Sequence, residues 1–434
     1  MIKNKGNLKP AHSGYRYQDI ATAHFLIQSI LGKCGSVTVD KKQVEDDRLD
    51  DLEVTISDKV FRKQIKSSPD ASRTIKRLDF TGSQSTLRID RLVLTHVRSP
   101  YAVEEYRLSA TWQSPNASDE LSNFIKAVDA EPTFEGTSVS FFKLRPEKIW
   151  PVNDAPIWEV LDKSTDAAAE FERGDFVDFC DKFIIELNLP LASTDLLAPG
   201  PLENSVIKLL KESVGIGQYP NLGRQSEDVA ALAVSLANLA RTQEATLYPE
   251  DIAKSLEIRT DFGRVSQAFP LDKNHFYNRP AFRQKLKDEI SNDGFHILTA
   301  PPGAGKSWDL TCLAEELAND FIVARHYCYL EPGDELIERR VTTDVFFANI
   351  IAELHEVAPE ISHGLNRLAA DMDTLESALE KATSLGREVV VIVDGLDHIS
   401  RVRSSSNTLS DDETDIIERL SSMSLPQWVK LIVG

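Results

Sequence analysis

Phe295-His296-Ile297-Leu298-Thr299 runs directly into Ala300-Pro301-Pro302-Gly303-Ala304-Gly305-Lys306-Ser307, and a helical run, Trp308–Leu317, follows. This strand, loop and helix read as a phosphate cradle. Gly303 and Gly305 let the backbone bend tightly around Ala304 and turn successive N–H groups inward, while the positive end of the following helix adds to the attraction. In that arrangement Lys306 reaches the β- and γ-phosphates of ATP and the Ser307 hydroxyl ligates Mg2+. Ala300 stands where G-x-x-x-x-G-K-[ST] has its first glycine. A chance GKS in a surface turn is the competing reading, and the flanking strand and helix argue against it.

The second half of this site lies 88 residues after Lys306, in Val389-Val390-Val391-Ile392-Val393-Asp394-Gly395-Leu396-Asp397-His398. Five β-branched residues in a row make a strand buried on both faces, and ligands gather at the carboxyl ends of such strands. Asp394 is therefore expected in the magnesium shell. Asp397 either orients an attacking water or caps a helix, and His398 either senses the γ-phosphate or packs. Phe295–Thr299, Phe321–Ala324 and Val389–Val393 alternate with helices from about Asn274 onward, which implies a parallel α/β sheet.

A P-loop followed by hhhhDGLDH resembles the STAND class of signalling ATPases, close to NACHT domains, over about Asn274 to Gly434. The resemblance implies a nucleotide-driven switch that oligomerises on sensing a trigger. It also implies that Arg279, in Phe276-Tyr277-Asn278-Arg279, sits near the nucleotide, and that an arginine sensor, a winged helix and sensor repeats follow Val433. Trp428–Gly434 reads as one more buried strand, so a longer parent protein, with this domain truncated here, is expected.

The chain has 434 residues, so two or three domains are expected. No window nears the roughly 18 apolar residues of a membrane span. Met1 to Pro10 has no apolar signal core, so no membrane partner and a cytoplasmic location are expected. Cys34, Cys180, Cys312 and Cys328 lack paired spacing and read as reduced thiols. The net charge of −19 is unevenly spread: residues 1–100 carry 18 Lys and Arg against 12 Asp and Glu, or +6, leaving −25 for the rest. A basic end on an acidic chain fits either a polyanion partner or a solvated lysine-rich face.

Within that basic end, Glu45-Asp46-Asp47-Arg48-Leu49-Asp50-Asp51-Leu52-Glu53-Val54-Thr55-Ile56 leads through a turn to Val60-Phe61-Arg62-Lys63-Gln64-Ile65-Lys66. A hairpin with a two-residue loop at Asp58-Lys59 sets Asp51 against Lys66, Glu53 against Gln64 and Thr55 against Arg62. Alternation then sends Leu52, Val54, Ile56, Phe61 and Ile65 to a core under one face and the polar groups to the other. A solvent-facing hairpin with paired charges is the bland reading. Asp51 beside Gln64-x-Lys66 also holds the parts of a metal-dependent phosphodiesterase: hard oxygens for Mg2+ and a lysine to handle water and phosphate charge.

G-Y-x-Y-Q at 14–18, the acidic stretch ending D-D-L, and Q-x-K together resemble the PD-(D/E)xK nuclease superfamily, specifically the DNA endonuclease domains of bacterial antiviral effectors, over about 1–150. The resemblance implies that Asp51 is the metal aspartate and that Gln64 stands for the usual second carboxylate. It implies further that Lys66 is the catalytic lysine and that Gln18 supports the site. With a neutral glutamine there, Glu45 or Glu53 is expected to help bind metal, and Asp50 rivals Asp51 for the ligand role.

The expected architecture is therefore a restriction-endonuclease-like α/β domain at 1–150, a helical linker region at 151–270 and a P-loop STAND NTPase domain at 271–434. Strands are expected at 91–97 as well as in the hairpin, and helices at Asp19–Leu31, Asp175–Leu187 and Ser226–Leu239. The two resemblances imply an anti-phage effector that binds Mg2+ and ATP, forms a homo-oligomer on meeting a phage protein through regions beyond Gly434, and then cleaves double-stranded DNA. The alternatives are an ATP-dependent switch whose first domain only binds nucleic acid or a partner, and a restriction-type nuclease coupled to DNA translocation.

Overall fold

The computed structural model describes residues 9–135, 137–195, 198–271, 277–362 and 364–434. The expected domain start at Asn274 and Phe276 of the Arg279 motif lie outside the described residues, as does most of the polar N-terminal stretch. The chain forms two α/β units: residues 1–210 with 226–256, and residues 211–225 with 257–434.

The first unit is built on a mixed eight-stranded sheet in the order β5-β6-β7-β4-β3-β2-β1-β8. Its strands are β1 (Ser36–Val39), β2 (Leu52–Ile56), β3 (Lys59–Lys66), β4 (Glu105–Ala110), β5 (Ile125–Ala127), β6 (Ser140–Leu144), β7 (Phe183–Leu187) and β8 (Thr246–Leu247). β3, β4 and β7 run parallel at the centre, and β1, β2 and β3 form an antiparallel meander beside them. Both faces are covered. The first helix, Lys9–Ile30, packs on the face that carries Lys63, whose ammonium lies 5.4 Å from the centre of the Phe25 ring. Helices Ile89–Arg98 and Arg173–Lys182 cover the other face, where Tyr106 meets His96 and Phe179.

Three expectations are corrected here. Residues 91–97 are helical, within Ile89–Arg98, because Ile89, Leu92 and Val93 recur at helical spacing and are fully buried. The helix expected over Asp175–Leu187 ends at Lys182, and Phe183–Leu187 becomes a wholly buried strand inside the sheet. The core does not lie under one face of the hairpin: Arg62, Lys63 and Gln64 are all buried.

Residues 151–270 are shared between the units instead of forming a body of their own. β7 belongs to the first sheet. Helix Ser226–Thr242 packs along the first helix, and β8 caps β1 by pairing Thr246 with Thr38 and Leu247 with Val37. The Asp19 carboxylate on the first helix is gripped by Arg241 in three hydrogen bonds of 2.8–3.0 Å and by Asn238 at 3.1 Å.

The second unit holds a four-stranded parallel sheet in the order β10-β11-β12-β9. These strands are β9 (Gly294–Ile297), β10 (Ile322–Tyr327), β11 (Val389–Asp394) and β12 (Val429–Val433). As the unbroken apolar run predicts, every residue of β11 is buried. β12, expected as a buried strand, lies between β11 and β9.

Candidate functional site

In the first unit the hairpin turns at Ser57-Asp58, both with left-handed backbone (φ 48° and 63°), one residue earlier than expected. This is the mirror-image turn that matches strand twist. The register moves by two: Glu53 pairs with Arg62 and Leu52 with Lys63, in place of Glu53 with Gln64 and Asp51 with Lys66. Side-chain direction repeats every two residues, so a two-residue shift changes partners and preserves faces. Asp51 therefore stands across from Gln64, still on the face that carries Lys66.

The Asp51 Oδ2 atom accepts 2.6 Å from Gln64 Nε2 and 2.7 Å from the Ile65 N–H, and Lys66 Nζ lies 3.7 Å away. Gln18 on the first helix donates 3.3 Å to the Ile65 carbonyl and adds a hydrogen bond to Asp51. Burial pushes the Asp51 carboxyl above its ordinary range, with Lys66 and the Ile65 N–H pulling it back. The Gln64 amide oxygen is buried and has no hydrogen-bond partner among the described residues.

Asp50, the rival to Asp51 for the ligand role, lies beside it. Carboxylate oxygens of Asp40, Asp50 and Asp51 all lie within 4.8 Å of one another. Burial, then the charges of Asp51 and Asp47, raises Asp50 to about 6, and burial and Asp50 raise Asp40. The acids expected to assist are elsewhere. Glu45 is exposed and is not among the grouped carboxylates. Glu53 accepts from Tyr101 Oη and lies 3.5 Å from Arg62 Nε. Asp40 was not anticipated. It stands one step beyond β1, and only the pairing of β1 with β2 brings it beside Asp51.

In the second unit the loop between β9 and helix Lys306–Leu317 turns through Gly303 (φ 77°) and Gly305 (φ 85°). The left-handed φ at Gly305 calls for glycine, and a Cβ there would come 2.7 Å from Arg279 Nη2, the far end of a flexible side chain. Arg279 donates 2.8 Å to the Ala304 carbonyl and also pairs with the buried Asp309, which places it against the loop. Lys306 Nζ donates 3.2 Å to the Ala300 carbonyl.

Asp394 ends β11, and its Oδ2 atom is buried without a partner among the described residues. Burial raises its carboxyl, opposed by a hydrogen bond from Ser307, the Gly395 N–H and the charge of Lys306, so Ser307 and Lys306 lie beside it. Asp397 opens helix Asp397–Ser405, is exposed and pairs with Arg401 at 2.7 Å. The His398 ring stacks on Tyr329 with centroids 4.0 Å apart, and burial lowers its pKa. Cys34, Cys180 and Cys328 are buried and all four cysteines are free. Among the described residues no helix is long and apolar enough to cross a membrane.

Residues 273–433 match the family model described as Nephrocystin 3, N-terminal, a stretch that contains the parallel sheet, the glycine loop and Asp394. Residues 1–272 lie outside that match, and no curated protein matches the chain.

Proposed function

We propose that the chain is a Mg2+-dependent DNA endonuclease in its first unit, governed by an ATP-binding switch in its second. The observation that carries the nuclease reading is the convergence of Asp51, Gln64 and Lys66 on one face, with the Gln64 oxygen buried and unpartnered. A buried amide oxygen left without a donor carries a free-energy cost that a cation removes. Bound there, Mg2+ supplies Lewis-acid polarisation of the phosphodiester and a more acidic water. The protein does the rest. Asp51 and Gln64 hold the oxygen ligands in place, the Ile65 N–H and Gln18 fix the Asp51 carboxylate, and Lys66 offsets charge gathering on the phosphate and handles the water's proton.

The switch reading rests on the glycine loop, Lys306, Ser307 and the orphaned Asp394 oxygen, a set that fits a nucleotide with its magnesium. Arg279 would act by fixing the loop through the Ala304 carbonyl, and His398, stacked on Tyr329, by packing. Together with the two resemblances, this supports reading the chain as an effector of bacterial antiviral defence. A phage protein would trigger homo-oligomerisation, and the assembled first units would cut double-stranded DNA.

Incubating the full chain with plasmid, Mg2+ and ATP tests the reading. Cleavage that falls by roughly 100-fold or more in Lys66→Ala is expected. Intact plasmid with the unaltered chain, in the presence of both cofactors and at concentrations that oligomerise it, would instead favour a first unit that only binds nucleic acid or a partner.

A further inference from the structure

We infer that Asp40 and Asp50 are metal ligands, completing with Asp51 and the Gln64 oxygen a single divalent-cation site that spans three adjacent strands. The inference rests on the nuclease reading for its chemistry and on independent geometry for its residues. Antiparallel pairing of β1 with β2 runs Ser36 to Thr55 through Val39 to Leu52, and one step further the Asp40 N–H donates 3.2 Å to the Asp51 carbonyl. Asp40 therefore faces Asp51 from one side as Gln64 does from the other, and directly opposed residues share a face. Asp40 just after β1, Asp51 just before β2 and Gln64 on β3 stand in a row, and Asp50 joins from the residue before Asp51.

Charge explains why the extra carboxylates are needed. With only Asp51, a neutral Gln64 and the Lys66 ammonium, the site is electrically neutral and holds a dication poorly. Adding Asp40 and Asp50 brings two further carboxylates to offset the Lys66 ammonium, with Arg241 also acting on Asp40 and Lys42 on Asp50. The second observation pointing to a cation is the Gln64 amide oxygen. Gln64 is 5% exposed, its nitrogen is seated on Asp51, and its oxygen has no partner among the described residues.

The test is Mn2+ binding to the full chain, followed by calorimetry and by the electron paramagnetic resonance of free Mn2+, alongside the metal-induced shift in melting temperature. Asp40→Asn and Asp50→Asn are expected to weaken binding about 10-fold or more each, and Asp51→Asn to abolish it. Gln64→Glu in the Asp40→Asn background should recover binding, because it returns the missing charge from the neighbouring strand. That rescue separates a ligand from a residue needed only for folding. Unchanged Mn2+ affinity in Asp40→Asn and Asp50→Asn, with loss in Asp51→Asn, overturns the inference and leaves the smaller site intact. Binding and rescue as expected, with no DNA cleavage under any condition, uphold the inference while the endonuclease reading fails.

Discussion

Asp51 is where the first unit's electrostatics concentrate: one carboxylate oxygen accepts two hydrogen bonds while two other carboxylates stand within 4.8 Å. A raised carboxyl pKa means the folded protein holds a proton that the unfolded chain has given up. In the metal-free protein, the stability from that proton is present below the ordinary Asp range and is lost as pH rises through about 6 for Asp50. A cation must displace the same proton. The Mn2+-induced rise in melting temperature is therefore expected to be small at pH 5 and to grow through pH 6 to 7, and thermal melts across that range with a flat response would contradict it. At this scale the sequence was informative about Asp51, Gln64 and Lys66, because a two-residue slip in register leaves every side chain on its face. Asp40 escaped because its role depends on which strand lies beside β2, and no local pattern announces a neighbour that arrives through tertiary pairing.

Hairpin, helix and sheet edge each carry consequences of their own. The turn residues Ser57 and Asp58 both hold positive φ, which costs non-glycine residues about 1 kcal/mol apiece. Replacing the pair by Asn-Gly is expected to stabilise the first unit by about 1 kcal/mol, read as a higher denaturant midpoint, without altering Mn2+ affinity. Lower stability would mean that this turn is not the one the chain uses. Arg241 and Asp19 are a nearly buried pair, at 13% and 7% side-chain exposure, that ties helix Ser226–Thr242 to the helix bearing Gln18. Arg241→Ala strands the Asp19 charge and is expected to cost about 3–5 kcal/mol. A melting temperature within a degree of the parent would refute that. Strongly periodic elements such as β11 and helix Ser226–Thr242 were legible in advance. The errors fell on short apolar runs, Arg91–Val97 and Phe183–Leu187, where period alone does not separate a buried helix turn from a buried strand and packing decides.

For the molecule as a whole, the proposed nucleotide binding to the second unit and the proposed cation binding to the first are separable by measurement. ATP with Mg2+ at a hundredfold over its dissociation constant stabilises whatever unit binds it by about 2.7 kcal/mol. Lys306→Ala is expected to remove that thermal shift and to leave the Mn2+ response of the first unit unchanged, and persistence of the ATP shift would argue against the loop as the nucleotide site. The sheet of the second unit was legible because its glycine loop and its β-branched strand are local signals. The extent of the first unit was not, because it is assembled from segments far apart in sequence. β1 gains its outer partner only from Thr246–Leu247, after the chain has already contributed residues 211–225 to the other unit. On a translating ribosome the first sheet thus keeps an open edge until some two hundred residues beyond β1 have emerged, and nascent chains arrested before β8 should expose that edge to aggregation or chaperone capture.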